Sequence, residues 1–284
     1  MTNMTIAVAS GKGGTGKTTV AVNLASAAAM PVQLLDCDVE EPNIHLFLKG
    51  EHGTITPVSI PIPRVDQSLC DGCGDCARIC QFNAIVVPTG RPMLFPELCH
   101  GCGGCTLVCP TRAITETERR IGVIETSKSG NVELVQGRLD VSVPTAPPLI
   151  RKVIARARTD RPVIIDAPPG TSCPVIAAVR KADYVILVTE PTPFGLHDLK
   201  LAVDMMREIA KPFGVLINRV GVGDDRVHEF CSSEGVEVLL EVPDDRRIAE
   251  AYSRGELIVD ALPEYRDRFE RLLTRITSVG QVQA

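Results

Sequence analysis

The chain has 284 residues, 44% hydrophobic and 23% charged, which is enough apolar material for one large or two ordinary domains and too much for a disordered or fibrous protein. A formal charge of −5, 4% aromatic content and no tryptophan argue against nucleic acid as a partner, because phosphate backbones call for a basic face and single strands for stacking platforms. No apolar stretch reaches the roughly 18 residues of a membrane span and no secretory pattern opens the chain, so a cytoplasmic protein is expected.

Residues 5–10 are a strand-like run that feeds directly into Gly11-Lys12-Gly13-Gly14-Thr15-Gly16-Lys17-Thr18, a match to the phosphate-binding pattern G-x-x-x-x-G-K-[ST]. Gly11, Gly13, Gly14 and Gly16 let the backbone curl so that amide N–H groups point at phosphate oxygens. They do so at the positive end of the alanine-rich helix predicted for residues 18–29. In this pattern Lys17 reaches the β- and γ-phosphates and the Thr18 hydroxyl ligates Mg2+. A second aliphatic strand, 32–35, ends at Asp36, with Asp38 close behind. Either carboxylate could orient an attacking water or bind Mg2+; the alternative is a solvated acidic loop that includes Glu40 and Glu41.

From residue 56 the rhythm breaks. Pro57, Pro61 and Pro63 rule out a helix or a central strand there. Eight of the eleven cysteines follow in two runs, Cys70, Cys73, Cys76, Cys80 and Cys99, Cys102, Cys105, Cys109, each reading C-x-x-C-x-x-C-x-x-x-C. Residues 69–85 align without gaps to 98–114 at an offset of 29, so two similar half-units are expected. Soft thiolates at this spacing suit iron–sulfur chemistry; zinc is the alternative, but duplicated four-cysteine runs exceed what a tetrahedral ion requires. His100, inside the second run, reads as a turn residue because cysteine fills every expected ligand position.

After the cysteine block the α/β alternation resumes. Segments 121–125 and 132–135, around Ser129-Gly130-Asn131, predict a hairpin returning the chain to the main sheet. The near-continuous aliphatic runs 163–166, 184–188 and 214–218, with a helix-length segment at 196–210, are those of parallel strands covered on both faces. Asp166 ends one of them and begins Asp166-Ala167-Pro168-Pro169-Gly170; a carboxylate there suits Mg2+, with Gly170 placed to approach the γ-phosphate. The fold class read from this order is α/β, a doubly wound, mostly parallel sheet carrying an inserted α+β module. The expected boundaries are 1–60 and 116–284 for the host and 61–115 for the insert. At the C-terminus, Tyr265, Phe269, Leu272, Leu273 and Ile276 make an apolar helical stripe flanked by arginines and acids. Packing on its own domain is the expectation, a membrane surface the alternative.

Lys12-Gly13-Gly14-Thr15-Gly16-Lys17-Thr18-Thr19 resembles the deviant Walker A motif of the MinD/ParA/nitrogenase-iron-protein class of P-loop ATPases, over residues 1–52 and about 120–284. The resemblance implies ATP and Mg2+ as cofactors and a homodimer on ATP binding, in which Lys12 reaches the partner subunit's nucleotide. It also implies that Asp36-Cys37-Asp38 is the first switch, with Asp38 helping to activate water, and that residues 166–170 are the second. By the same resemblance Asn218, Pro243 and Asp244 frame adenine, and Cys173 falls near a cluster ligand of the nitrogenase iron protein, although simple burial is the favoured reading for it. The cysteine block resembles bacterial ferredoxins with two [4Fe-4S] clusters, in which the fourth ligand of each cluster comes from the other run. That implies one set of Cys70, Cys73, Cys76 and Cys109 and another of Cys99, Cys102, Cys105 and Cys80; Gln81 departs from the family by replacing the proline that follows the last cysteine, as Pro110 does in the second run.

Three functions are compatible with these motifs. The first is ATP-driven dimer switching coupled to electron transfer to a partner metalloprotein or cofactor. The second is an ATP-gated carrier or scaffold for metal-centre assembly, and the third a MinD-like spatial organiser with redox-sensing clusters. An amide-forming ligase of a related class is weaker, because no glutaminase Cys–His pairing is evident and the cysteine block would go unexplained.

Overall fold

The computed structural model describes residues 4–279. Short aliphatic strands build one sheet of nine, in the order β11-β10-β9-β1-β8-β2-β7-β6-β3. These strands are β1 (Thr5–Ala9), β2 (Val32–Asp36), β3 (Glu51–Val65), β6 (Ile114–Ser129), β7 (Val132–Leu139), β8 (Val163–Asp166), β9 (Tyr184–Thr189), β10 (Phe213–Val220) and β11 (Val238–Pro243). All neighbours from β11 to β7 are parallel; β6 runs antiparallel to both β7 and β3. Successive side chains of a strand face opposite layers, and both layers here are dry. Ile6 and Val8 join the core under α1 (Lys17–Ala27), α8 (Arg246–Ser253), α9 (Ile258–Ala261) and α10 (Pro263–Val279). Ala7 and Ala9 join the core under α4 (Pro147–Ile154), α5 (Cys173–Val179), α6 (Pro193–Glu208) and α7 (Arg226–Ser233).

The proline-rich lead-in forms β3, an edge strand, where a missing N–H costs little. With β6 it makes a long ribbon whose pairing begins at Glu51–Lys128 and ends at Val65–Ile114. The ribbon thus leads from the main sheet to the cysteine segment, with register shifts between His52 and Ile55 and between Val58 and Ser59, and passes through residues 60 and 115. The hairpin expected after that segment is present, turning at Gly130 (φ 57°) between β6 and β7.

Residues 66–113 form a small unit at the ribbon's end, containing α2 (Asp75–Ile79), α3 (Gly104–Val108) and the short pair β4 (Ile85–Val86) and β5 (Met93–Leu94). Its conformation repeats at the same offset as its sequence. Helix α2 recurs as α3, and the left-handed Gly72, Gly74 and Asn83 recur as Gly101, Gly103 and Arg112. The pairing of Ile85 with Leu94 matches that of Ile114 with Val65.

The C-terminal stripe is buried in the described structure: Tyr265, Phe269, Leu272, Leu273 and Ile276 all join the core beneath α1. Among the described residues no helix is long and apolar enough to cross a membrane.

Candidate functional site

Polar groups gather along the carboxyl ends of the parallel strands, where a doubly wound sheet places its ligands. Ser10 follows β1, Asp36 ends β2, Asp166 ends β8, Glu190 follows β9, Asn218 lies near the end of β10 and Pro243 ends β11. Between β1 and α1 the loop curls through left-handed Gly14 (φ 79°) and Gly16 (φ 93°). Gly16 has no substitute: a Cβ there would lie 2.5 Å from the Asn218 amide nitrogen, which donates to the Thr15 carbonyl at 2.9 Å. Gly11 is equally constrained, because a Cβ there would run into the Asp198 carbonyl of α6.

A cavity of about 1540 Å³, open to solvent, runs from this loop to β11. Gly13, Gly14, Gly16, Lys17, Thr18 and Thr19 line its phosphate end, with Asp38 beside them. Asn218, beside the loop, and Pro243 and Asp244, at the end of β11, also line the cavity. Thr15 is buried behind the loop. The wall also includes Arg219, Asp245, Ile248, Tyr252 and Phe269, which were not anticipated. Phe269 belongs to the apolar stripe, so its core role concealed its second face.

The acidic groups divide by burial. Asp36 is fully buried and accepts from the backbone N–H groups of Asp38 (3.1 Å) and Ile44 (3.4 Å). Burial, then the neighbouring Asp166 and Asp38 charges, push its carboxyl far above the usual range. It holds the loop, whereas Asp38 faces the cavity. Burial raises Asp38 to about 6, against the opposing pull of Lys17. Asp166 accepts from the Thr18 hydroxyl at 2.7 Å, while its other oxygen is buried without any partner. Burial pushes Asp166 up to about 7. Burial also depresses the Lys17 ammonium, against Asp166 and Asp38. Lone buried carboxylate oxygens are costly; a divalent cation at Thr18 and Asp166 would satisfy this one.

Two predicted residues are engaged elsewhere. Lys12 is ion-paired with Glu190 of the same chain, and Arg219 approaches the other Glu190 oxygen at 3.7 Å. Gly170 is left-handed (φ 97°) and its N–H donates to the Ser10 carbonyl at 3.0 Å. Glu190 could have been found by the signal that flagged Asp166, a carboxylate just beyond an aliphatic strand.

The cysteine runs exchange their last members. Cys70, Cys73, Cys76 and Cys109 line one cavity of about 290 Å³. Cys80, Cys99, Cys102 and Cys105 line another of about 420 Å³. Among the described residues no three Cys, His, Asp or Glu side chains converge as ligands of one metal ion. The thiols instead surround each space, and the Gly101 N–H donates to the Cys99 sulfur at 3.4 Å. Each left-handed glycine pair turns the loop between ligands tightly enough to leave that space free. His100 lies flat on Phe82, rings 3.6 Å apart, and is 3.4 Å from the Thr145 hydroxyl at the foot of α4. Of the remaining cysteines, Cys37 and Cys231 are buried. Cys173, expected to be buried, is instead exposed at the first turn of α5, where it follows the 166–170 loop.

Residues 6–258 match the family model described as the CobQ/CobB/MinD/ParA nucleotide binding domain. The chain belongs to this family. This CobQ/CobB/MinD/ParA member is 30% identical to an uncharacterised protein of Methanocaldococcus jannaschii, over 89% of the chain and 90% of the relative. It is 29% identical to a protein of Aquifex aeolicus named as an iron-sulfur cluster carrier, over 91% of the chain and 62% of that relative. Its fold is that of the septum site-determining protein MinD of Pyrococcus horikoshii, solved with Mg-ADP, at a TM-score of 0.62, 23% identity, 100% coverage of this chain and 99% of the other.

Proposed function

We propose that this nucleotide-binding protein hydrolyses Mg·ATP as a homodimer and couples the resulting switch to electron transfer through two resident [4Fe-4S] clusters, to a partner metalloprotein or cofactor. The carrying observation is the sorting of eight thiols into two sets of four by exchange of Cys80 and Cys109. The donor set fits: soft thiols surround each space, and the Gly101 N–H is aimed at the Cys99 sulfur. When bound, such clusters store and pass single electrons. The protein's contribution is to hold them within residues 66–113, at the end of a ribbon that belongs to the ATPase sheet.

At the nucleotide site, Gly13, Gly14 and Gly16 shape the phosphate cradle, Lys17 supplies charge, and Thr18 with Asp166 takes Mg2+. Asp38 is placed to orient water. Lys12 acts across the dimer once it leaves Glu190, a second cation near the transferred phosphoryl group. Asn218, Pro243 and Asp244 frame the base. Thiol-bound clusters also suit a reducing, cytoplasmic setting.

Anaerobic reconstitution tests this reading. Two cubane clusters per chain are expected, with the ATPase rate responding to their redox state. Colourless protein after faithful reconstitution, or ATP turnover indifferent to cluster state, would reject it.

The names of several relatives favour a second reading, an ATP-gated carrier of iron–sulfur clusters. Labelled iron or sulfide moving to an apo-acceptor separates the two: transfer supports the carrier, and permanent retention supports the electron-transfer protein. The spatial-organiser reading loses its membrane motive, because the C-terminal stripe is buried.

A further inference from the structure

The two cysteine cavities are alike in ligands and unlike in charge. Each wall carries one carboxylate, Asp71 in the first and Glu116 in the second, so these largely cancel in a comparison. Each cavity also has an arginine donating to a ligand's backbone carbonyl. Arg78 donates to the Cys73 carbonyl at 3.0 Å, and Arg119 to the Cys99 carbonyl at 3.5 Å. Here the likeness ends. Arg78 is 69% exposed and ion-paired with Asp75, so its field is both neutralised and screened by water. Arg119 is half-buried on β6, its Nε is shut away from solvent with no hydrogen-bond partner, and among the described residues it forms no ion pair. Its neighbour Arg120, by contrast, turns outward to Asp140.

Adding an electron to a thiolate-bound cluster adds a negative charge. Dry surroundings oppose that, and the Phe82–His100 stack helps to close the second cavity. The same partial dryness leaves an unpaired guanidinium less screened than a paired, solvated one. The cation decides the sign.

We propose that Arg119 makes the centre held by Cys80, Cys99, Cys102 and Cys105 the higher-potential member of the pair. A single electron from a low-potential one-electron donor then comes to rest there. This is the side that meets the ATPase body: Gly101 packs on Pro61 and Ile60, and His100 reaches Thr145. The centre held by Cys70, Cys73, Cys76 and Cys109 is the outer relay. The inference rests on the cluster reading above and adds the order of the two sites.

The test is an EPR-monitored potentiometric titration of the anaerobically reconstituted full-length protein, with dithionite as reductant. Two one-electron steps are expected. In partly reduced protein, the hyperfine-shifted NMR signals of the Cys80, Cys99, Cys102 and Cys105 β-protons should change first. Arg119→Gln should lower only the higher-potential step, cutting its reduced-to-oxidised ratio at fixed potential by about tenfold, or about 59 mV. Arg119→Lys should restore most of it, and Arg78→Gln should move neither step comparably. The proposal is overturned if the other cysteine set is reduced first, if Arg119→Gln moves both steps equally or neither, or if Arg78→Gln has the larger effect. Should Arg119→Gln fail to fold, the order of reduction in the unsubstituted protein still decides. Loss of every iron–sulfur signal in the unsubstituted protein would instead sink the cluster reading itself.

Discussion

Asp38 and Asp166 hold their protons to about pH 6 and 7 in the folded, nucleotide-free chain, against an ordinary value of 3.8. A carboxyl raised in this way contributes stability that is complete below its unfolded value and is lost as pH rises through its folded one. The melting temperature of the nucleotide-free protein should therefore fall between about pH 4 and 7 through these two groups, and Asp166→Asn should flatten the slope. A slope unchanged by that substitution would show that Asp166 does not titrate as described. Mg2+ needs the Asp166 carboxylate ionised, so its binding should release protons and weaken as the solution is acidified below about pH 7. At this scale the sequence displayed the ligand types but not their present partners. The loop pattern marks Lys12, yet nothing local joins it to Glu190, which lies 178 positions away. Asp36 and Asp38 look interchangeable on paper; burial separates them, one bonded to backbone and the other facing the cavity.

Elements were legible where their pattern was local. The aliphatic strands and the α1 helix fall close to where periodicity puts them, and the positions of Asn218 and Asp244 follow from strands leading into one edge. The long ribbon was not legible, because β3 and β6 are partners separated by the whole cysteine block and prolines mask β3 as a strand. The C-terminal helix shows the opposite case, a clear stripe with an ambiguous destination. The structure sends it inward, with Phe269 1% exposed while also touching the nucleotide cavity. Phe269→Ala should cost about 3–5 kcal/mol in denaturant unfolding. It should weaken ATP binding as well, whereas a substitution at exposed Arg271 should do neither. Loss of stability without loss of affinity would confine Phe269 to the core.

The whole molecule is a sheet with a second unit at the tip of one of its hairpins. Val65 and Ile114 are direct partners across the ribbon, so the chain leaves and re-enters within one strand spacing. Replacing residues 66–113 by an Asn-Gly turn should give a folded protein that binds ATP and holds no iron, checked by calorimetry and metal analysis. A protein unable to bind ATP would mean that the two units fold as one. The ribbon also has an outer rim. Strand β3 is among the longest in the sheet and has a neighbour on one side only, which is the geometry that invites stray strands to add on. Pro57, Pro61 and Pro63 each delete a donor along it, so they guard the protein against edge-to-edge aggregation as well as shaping the route to the thiols.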